Sequence, residues 1–202
     1  MELLTAMQNR RSIRKFKPDS VSDAQVRELL EAARLAPSGT NIQPWRFVVI
    51  KSVEARERLK VVTSLPFVFQ APVVLACCVD NQIFDTQLQR IRELQEAGAF
   101  EETPLEAEDP AEYVRKRQRD EAAAAAYLRL NLAIAVEHIA LRAVDLGLGT
   151  CWVMMFDPSK ARELLGLEDR YRVVALLPVG YPDQDPAPRP RLPLESLILK
   201  EF

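Results

Sequence analysis

The chain has 202 residues, of which 48% are hydrophobic and 28% charged, so it can bury one substantial core as a single domain. Its 27 Lys and Arg residues against 29 Asp and Glu residues give a formal net charge of −2, which disfavours nucleic acid or another polyanion as a partner. Residues 1–6 lack the features of a signal peptide and no uncharged stretch reaches membrane-spanning length, so we expect a cytoplasmic protein without membrane contact.

Two helices are predicted in the N-terminal part of the chain. Residues 3–9 favour a short helix that ends at an arginine-rich segment. A second helix is expected to begin at Ser22, because Ser22 and Gln25 match a capping box. It should end near Ala36, since Pro37 disfavours helical backbone at the residue before it. Each helix is therefore followed by a short polar segment.

The middle of the chain alternates apolar runs with helical segments. Residues 45–50 and 72–79 are rich in β-branched, aromatic and small apolar residues and are predicted to be buried strands. Residues 53–62, between them, have helical character. Residues 81–118 are strongly charged and interrupted by prolines, with helical pieces between the breaks. We interpret them as an excursion within a single domain that spans residues 1–202.

The last third of the chain begins with one long predicted helix at residues 119–146. This helix is apolar on several faces and therefore needs more than one covering neighbour, and Gly147 suits a left-handed stop. Residues 171–179 are predicted to be a strand. The proline-rich residues 183–193 favour an extended arm, and residues 196–199 are predicted to be a last strand that pairs with another sheet.

Two polar clusters in the sequence suit an anion. Guanidinium groups donate paired hydrogen bonds to phosphate, and a Ser-Gly-Thr-Asn loop adds hydroxyl and amide donors. The first cluster, with two arginines that can join it in space, comprises Arg10, Arg11, Ser12, Arg14, Arg189 and Arg191. The second is the Pro37–Asn41 loop. A solvated basic surface and a plain turn are the alternative interpretations, and the residues alone leave them open.

No side chain in the sequence is an evident nucleophile, general base or metal ligand. His138 lies in mid-helix without a partner motif and is expected to be structural. Cys77 and Cys78 are adjacent and Cys151 stands alone, which is neither a disulfide framework nor a zinc pattern. Gly147-x-Gly149 follows a helix and lacks the third glycine of a dinucleotide fingerprint. This pattern is typical of an enzyme whose chemistry is carried by an organic cofactor.

Five segments, spread over nearly the whole chain, together resemble the FMN-dependent nitroreductase superfamily. They are Arg10–Arg14, Pro37–Trp45, Leu146–Trp152, Pro178–Pro182 and Arg189–Pro193. The resemblance implies an α+β sandwich with a mixed central β-sheet flanked by helices. It also implies a homodimer in which the C-terminal arms are exchanged, two FMN molecules lie in the interface, and the 81–118 excursion covers the flavin site.

The resemblance further implies which residues bind the cofactor. The phosphate is expected at Arg10, Ser12, Arg189 and Arg191, with Arg11 contributing mainly its backbone. Arg14 is expected beside the N1 and C2 oxygen of the isoalloxazine ring, as electrostatic support for electron uptake and the only catalytic contribution of a side chain.

The remaining cofactor contacts are expected from three other segments. Pro37, Ser38, Gly39 and Asn41 belong to the loop that should approach from the second subunit. The N–H groups of Met154 and Met155 should face the N5 edge, although many relatives have a glycine-containing pair there, so the pocket is expected to be narrower or more apolar. Gln70 is the nearest candidate for the pyrimidine edge.

These features predict an FMN-dependent NAD(P)H oxidoreductase. NADH or NADPH would reduce bound FMN by hydride transfer, and a nitroaromatic, quinone or similar electron-poor acceptor would then take the electrons in a ping-pong cycle. One alternative is a non-catalytic flavin-binding or regulatory dimer. Others are a different flavin reaction, such as ene reduction, dehalogenation or oxidation, and a helical scaffold protein without a ligand.

Overall fold

The computed structural model describes all residues from Met1 to Phe202. Four strands form one sheet in the spatial order β1-β2-β4-β3. They are β1 (Trp45–Ile50), β2 (Val73–Asp80), β3 (Gly149–Thr150) and β4 (Tyr171–Gly180). Every pair of neighbouring strands is antiparallel, so the prediction of a mixed sheet is wrong for the chain's own strands. Parallel pairing occurs only at an isolated bridge between Ser12 and Thr150.

Eight α-helices surround this sheet, and the α+β class is as predicted. They are α1 (Leu3–Asn9), α2 (Asp23–Arg34), α3 (Val53–Arg58), α4 (Pro66–Gln70), α5 (Gln87–Glu96), α6 (Pro110–Lys116), α7 (Glu121–Asp145) and α8 (Pro158–Leu164). At the start of α2 the Ser22 hydroxyl accepts the Gln25 N–H and the Gln25 side chain accepts the Ser22 N–H, which confirms the predicted capping box. Gly147, with φ of 71°, ends α7 as predicted. The short helix α4 was not predicted.

The sheet is buried on both faces, which is clearest along β2. Its odd-numbered residues join a core of 22 buried residues with α2 and α7. Val74, Ala76 and Cys78 join a second core of 12 buried residues with α4, α8 and the chain after α3. Cys77 and Cys78 therefore face opposite cores, and burial raises the pKa of the Cys78 thiol to about 12. Both cysteines act as small apolar core residues.

Helix α7 is the longest helix of the chain and packs against α1, α2 and the sheet. By length and composition alone it is the one helix that could cross a membrane. In the fold, its Leu132, Val136 and Ile139 side chains are completely buried in the larger core. The apolar composition of α7 is therefore that of a core helix, which passes the same test.

The C-terminal segment differs from its prediction. Residues 196–199 do not form a strand; Leu194–Leu197 form a single 3-10 turn, and residues 187–202 are exposed throughout. A strand needs a neighbouring strand for its backbone hydrogen bonds, and this segment has none within its own chain. Its exposed apolar side chains are Leu192, Leu194, Leu197, Ile198, Leu199 and Phe202.

Candidate functional site

An arginine-lined cleft of about 430 Å³ lies where the two ends of the chain meet. One wall is formed by residues 7–14 and the other by residues 186–191. Five arginines line the cleft and no acidic residue does, although the whole chain carries a formal charge of −2. They are Arg10, Arg11, Arg14, Arg189 and Arg191. Such a concentration of positive charge suits an anionic ligand.

The first wall is held in place by the edge of the sheet. After α1 ends, Ser12 forms its bridge with Thr150, and the Ile13 N–H donates to the Thr150 carbonyl at 2.9 Å. Ile13 is buried against Gly149, where a Cβ atom would lie 2.5 Å from Ile13 Cγ1. Only glycine permits this close approach. With Ile13 turned into the core, its neighbours Ser12 and Arg14 line the cleft.

The second wall is attached to the first by a short ladder. The Lys17 N–H donates to the Tyr181 carbonyl and the Asp183 N–H donates to the Lys15 carbonyl, both at 2.9 Å. Lys15 Nζ also lies 2.8 Å from the Asp183 carboxylate and holds the pKa of that carboxyl below its ordinary value. These contacts place the proline-rich arm, and with it Arg189, opposite Arg14.

The five guanidinium groups are not equivalent. Arg10 Nε lies 3.4 Å from the Glu137 carboxylate on α7. Arg11 donates back to the carbonyls of Gln8 and Arg10, so its side chain caps the end of α1. Arg191 donates only to backbone carbonyls of its own arm. The Arg189 guanidinium makes no hydrogen bond or ion pair within the chain, and the Arg14 guanidinium, which lies beside the Cys151 thiol, makes no ion pair. Neither group is neutralised by a carboxylate, so both can bind an anionic ligand.

The Cys151 thiol lies close to this group of cations. Burial raises the pKa of the Cys151 thiol, while Arg14, Ser12 and Arg10 act in the opposite direction. The positive potential of the cleft therefore extends to its buried side.

The other predicted cofactor residues lie outside the cleft of the single chain. Pro37, Gly39 and Asn41 are exposed on the loop after α2, and Ser38 is half-buried. Gln70 is exposed at the end of α4. The structure does not bring these residues to the arginines within one chain.

Met154 and Met155 lie on the extended segment that continues from β3. Their side chains are 71% and 74% exposed, which is unusual for adjacent methionines. The Met155 carbonyl accepts the Thr63 hydroxyl at 2.9 Å, whereas the N–H groups of both methionines make no hydrogen bond within the chain. The two free N–H groups are available to a ligand acceptor at this edge.

The chain is similar in sequence to the proteins of one known family. A sequence model described as "Nitroreductase family" matches residues 7–181, which is most of the chain. The chain belongs to the nitroreductase family. The family prediction is thereby confirmed.

Similar nitroreductase-family proteins match over the full length. A Thermus thermophilus protein named NADH dehydrogenase is 33% identical over 200 residues, covering 98% of this chain and 96% of its own. A Streptococcus pyogenes protein assigned as an NAD(P)H nitroreductase is 30% identical over 206 residues, covering 98% of each chain. A crystal structure from Exiguobacterium sibiricum, described as a nitroreductase in complex with FMN, has a TM-score of 0.85 at 25% identity, covering 100% of this chain and 98% of that chain. The nitroreductase-like fold is thereby confirmed.

Sequence reasoning missed two residues of this nitroreductase-family chain that hold the Pro37–Asn41 loop. Asn131 and Tyr127, on α7, contact Gly39 of the loop. The one indication in the sequence is the polar Asn131 within an otherwise apolar stretch of helix, a position that usually demands a specific hydrogen-bond partner.

Proposed function

We propose that this protein is an FMN-dependent NAD(P)H oxidoreductase of the cytoplasm that reduces nitroaromatics, quinones or similar electron-poor organic acceptors as a homodimer. The observation that carries the proposal is the cleft in which residues 10–14 and 189–191 present five arginines and no carboxylate. Family membership, the NAD(P)H-named relative and the FMN-containing neighbour support the choice of cofactor and electron donor.

The donor set of the cleft fits the phosphate of FMN. A phosphate monoester carries close to two negative charges at neutral pH and has three acceptor oxygens. Arg189 and Arg191 can approach it from one wall, and Arg10 with the Ser12 hydroxyl from the other. A guanidinium group can donate two parallel hydrogen bonds to such a group, which fixes its orientation as well as its position.

The ring of FMN extends, in this proposal, from the phosphate toward Arg14 and the segment after β3. When bound, FMN supplies the two-electron chemistry that links the nicotinamide donor to the acceptor. The Arg14 guanidinium, which has no acidic partner in the chain, would supply a fixed positive charge beside the ring and so favour electron uptake. The free N–H groups of Met154 and Met155 supply hydrogen-bond donors at the edge of the sheet.

Donor and acceptor occupy one site in turn in this proposal. Every charged side chain that lines the cleft is an arginine, so the cleft contains no general base. The chain would therefore bind and orient FMN and neutralise its phosphate, and bound FMN would supply the electron transfer between the nicotinamide donor and the acceptor. The excursion at residues 81–118 is the covering element and the part of the chain where acceptor preference resides.

The homodimer in this proposal completes the site. Residues 187–202 present exposed apolar side chains that nothing in their own chain covers. Crossing to a second subunit gives this arm a surface to bury against and gives its backbone a sheet edge to pair with. The same arrangement brings the Pro37–Asn41 loop of each subunit to the cofactor of the other.

An absorbance spectrum of the purified protein, followed by anaerobic titration with NADH or NADPH, tests the proposal. We expect flavin absorbance bands that bleach on addition of one or both donors and return when a nitroaromatic or quinone is added. A colourless protein that takes up no added FMN would refute the proposal. A protein that binds FMN but is bleached by neither donor would be a non-catalytic flavin-binding dimer.

A further inference from the structure

Asn131 is a buried polar residue on the apolar side of α7. It is only 3% exposed and lies between the fully buried residues Leu128 and Leu132 of the larger core. Its side-chain oxygen accepts the Gly39 N–H at 2.8 Å, and its side-chain nitrogen donates to the Tyr127 carbonyl at 2.8 Å. Because the second bond fixes the orientation of the amide, the acceptor is directed at the loop.

Tyr127 holds the same loop from the side. A Cβ atom at Gly39 would lie 1.9 Å from the Tyr127 hydroxyl oxygen, so the tyrosine fills the space where a side chain would be. The ring itself is fixed by the Arg119 guanidinium, 4.0 Å from the ring centroid, and by Phe84, with centroids 6.1 Å apart. Gly39 is therefore held by one hydrogen bond and by one rigid aromatic side chain.

The loop next to this anchor has a strained backbone. Thr40, Asn41 and Gln43 have backbone φ angles of 50°, 50° and 46°, which residues other than glycine rarely adopt. Within the loop, the Ser38 hydroxyl accepts the Gln43 N–H at 3.0 Å, and Gln43 donates to the Asn41 side chain at 3.0 Å. Strained residues persist only where their surroundings determine the conformation, and such strain gathers at functional sites.

We propose that Asn131 and Tyr127 are positioning residues that hold the Pro37–Asn41 loop in the conformation that closes the FMN site of the partner subunit. The inference rests on the proposed function, in which this loop reaches the cofactor of the other chain. A leucine at position 131 would pack better in the surrounding apolar core. We therefore infer that the role of the buried amide is its hydrogen bond to the loop. Neither residue touches the cofactor; both act through Gly39.

The first experiment compares Asn131→Leu with Ile139→Val in the full-length dimer. Asn131→Leu removes both hydrogen bonds at similar volume, whereas Ile139→Val removes one methyl group from the same face of α7 without contact to the loop. FMN affinity is measured by the quenching of flavin fluorescence, well below the unfolding temperature. We expect Asn131→Leu to raise the Kd for FMN about tenfold. Ile139→Val should lower the Tm and leave the Kd unchanged.

A second experiment keeps the core of α7 intact and changes the loop side. Gly39→Ala introduces the clash with Tyr127 and should raise the Kd for FMN, and Tyr127→Phe removes the closest atom of that clash. In the double variant, part of the lost affinity should return, a non-additivity that a double-mutant cycle measures. If Asn131→Leu fails to fold, this cycle still tests whether a side chain of α7 acts on FMN binding through Gly39.

The outcomes separate the inference from the proposed function. If the wild type binds FMN but Asn131→Leu keeps the wild-type Kd, or Ile139→Val weakens binding equally, the inference is wrong and the proposed function stands. Strictly additive effects of Gly39→Ala and Tyr127→Phe would likewise refute it. If the wild type binds no FMN, the proposed function itself is wrong.

Discussion

Arg189→Ala is the variant that tests the proposed FMN site most directly. The Arg189 side chain lies on the arm and makes no hydrogen bond or ion pair within the chain, so its removal leaves no unsatisfied partner in the free protein. We expect the free energy of unfolding without FMN to change by less than about 0.5 kcal/mol. Loss of a charge-assisted contact should weaken FMN binding by about 1.5–3 kcal/mol, which is roughly a 10-fold to 150-fold rise in Kd.

Titration of the FMN-free protein with FMN at two ionic strengths measures the Kd for FMN and the contribution of the positive charge of the cleft to it. Raising the ionic strength from about 0.01 M to 0.1 M shortens the Debye length from about 30 Å to 10 Å, so wild-type affinity should fall with salt. The variant should depend less on salt because one of five arginines is gone. Arg189→Lys should give an intermediate Kd, since it keeps the charge but loses the two-pronged donor geometry.

Arg27→Ala is the matched control for this experiment. Arg27 is exposed on α2, outside the cleft, and its removal changes the net charge of the chain by the same amount. We expect its FMN affinity to remain at the wild-type value. The reasoning would be refuted if Arg189→Ala bound FMN as the wild type does, or if Arg27→Ala lost as much affinity as Arg189→Ala.

Three further predictions concern stability, assembly and thiol reactivity. Arg170→Ala should lower the free energy of unfolding measured in urea, because it removes the two-pronged partner of the completely buried Asp80 and leaves Arg46, 3.8 Å away, as its remaining cation; an unchanged free energy of unfolding would contradict this. Deletion of residues 194–202 should give monomers by sedimentation velocity under conditions in which we expect the full chain to be dimeric, and a dimer that persists without these residues would contradict the proposed role of the arm in assembly. At pH 8, Cys151 should be alkylated before Cys78, because burial raises the pKa of the Cys78 thiol to about 12 while Arg14, Ser12 and Arg10 oppose the effect of burial at Cys151; peptide mass spectrometry reads the order, and equal labelling would contradict it.

Helix α2 could be predicted from the sequence because its determinants are local. The capping box of Ser22 and Gln25 satisfies the first N–H groups of the helix, and Pro37 stops the helix soon after Leu35. Helix α4 was missed for the opposite reason. Its sequence, Pro66–Gln70, is aromatic and β-branched, and only the proline at its first position favours a helix start.

The C-terminal strand was predicted from a property that is not local. Residues 197–199 have the apolar, β-favouring composition of a strand, but a strand exists only where another strand accepts its hydrogen bonds. Within one chain the sheet ends at β1 and β3, and neither pairs with the arm. The composition therefore indicates that the segment can pair with a free sheet edge, but its own chain places no edge beside it, and Leu194–Leu197 form a 3-10 turn.

The cleft depends on local sequence at one wall and on contacts between distant segments at the other. The composition of residues 10–14 indicated an anion site but left a solvated surface as an equal alternative. The ladder between Lys15 and Asp183, which brings Arg189 across, depends on contacts between distant parts of the chain that no spacing rule contains. The motif order of the nitroreductase resemblance supplied that pairing. The role of Asn131 was not predicted, because its partner, the Gly39 N–H, is also distant in sequence.

The electrostatics of the cleft connect cofactor binding to the stability of the fold. Five guanidinium groups repel one another in the free protein, because their one carboxylate partner is Glu137, 3.4 Å from Arg10 Nε. A bound phosphate removes this repulsion and joins the N-terminal segment to the C-terminal arm. A ligand at 100 times its Kd stabilises the folded state by about 2.7 kcal/mol, so FMN should raise the Tm in a concentration-dependent way. Since the arm is also the segment expected to reach the partner, the phosphate would couple cofactor binding to dimer assembly. Arg189→Ala should therefore weaken the stabilisation of the dimer by FMN, while Arg27→Ala leaves it intact.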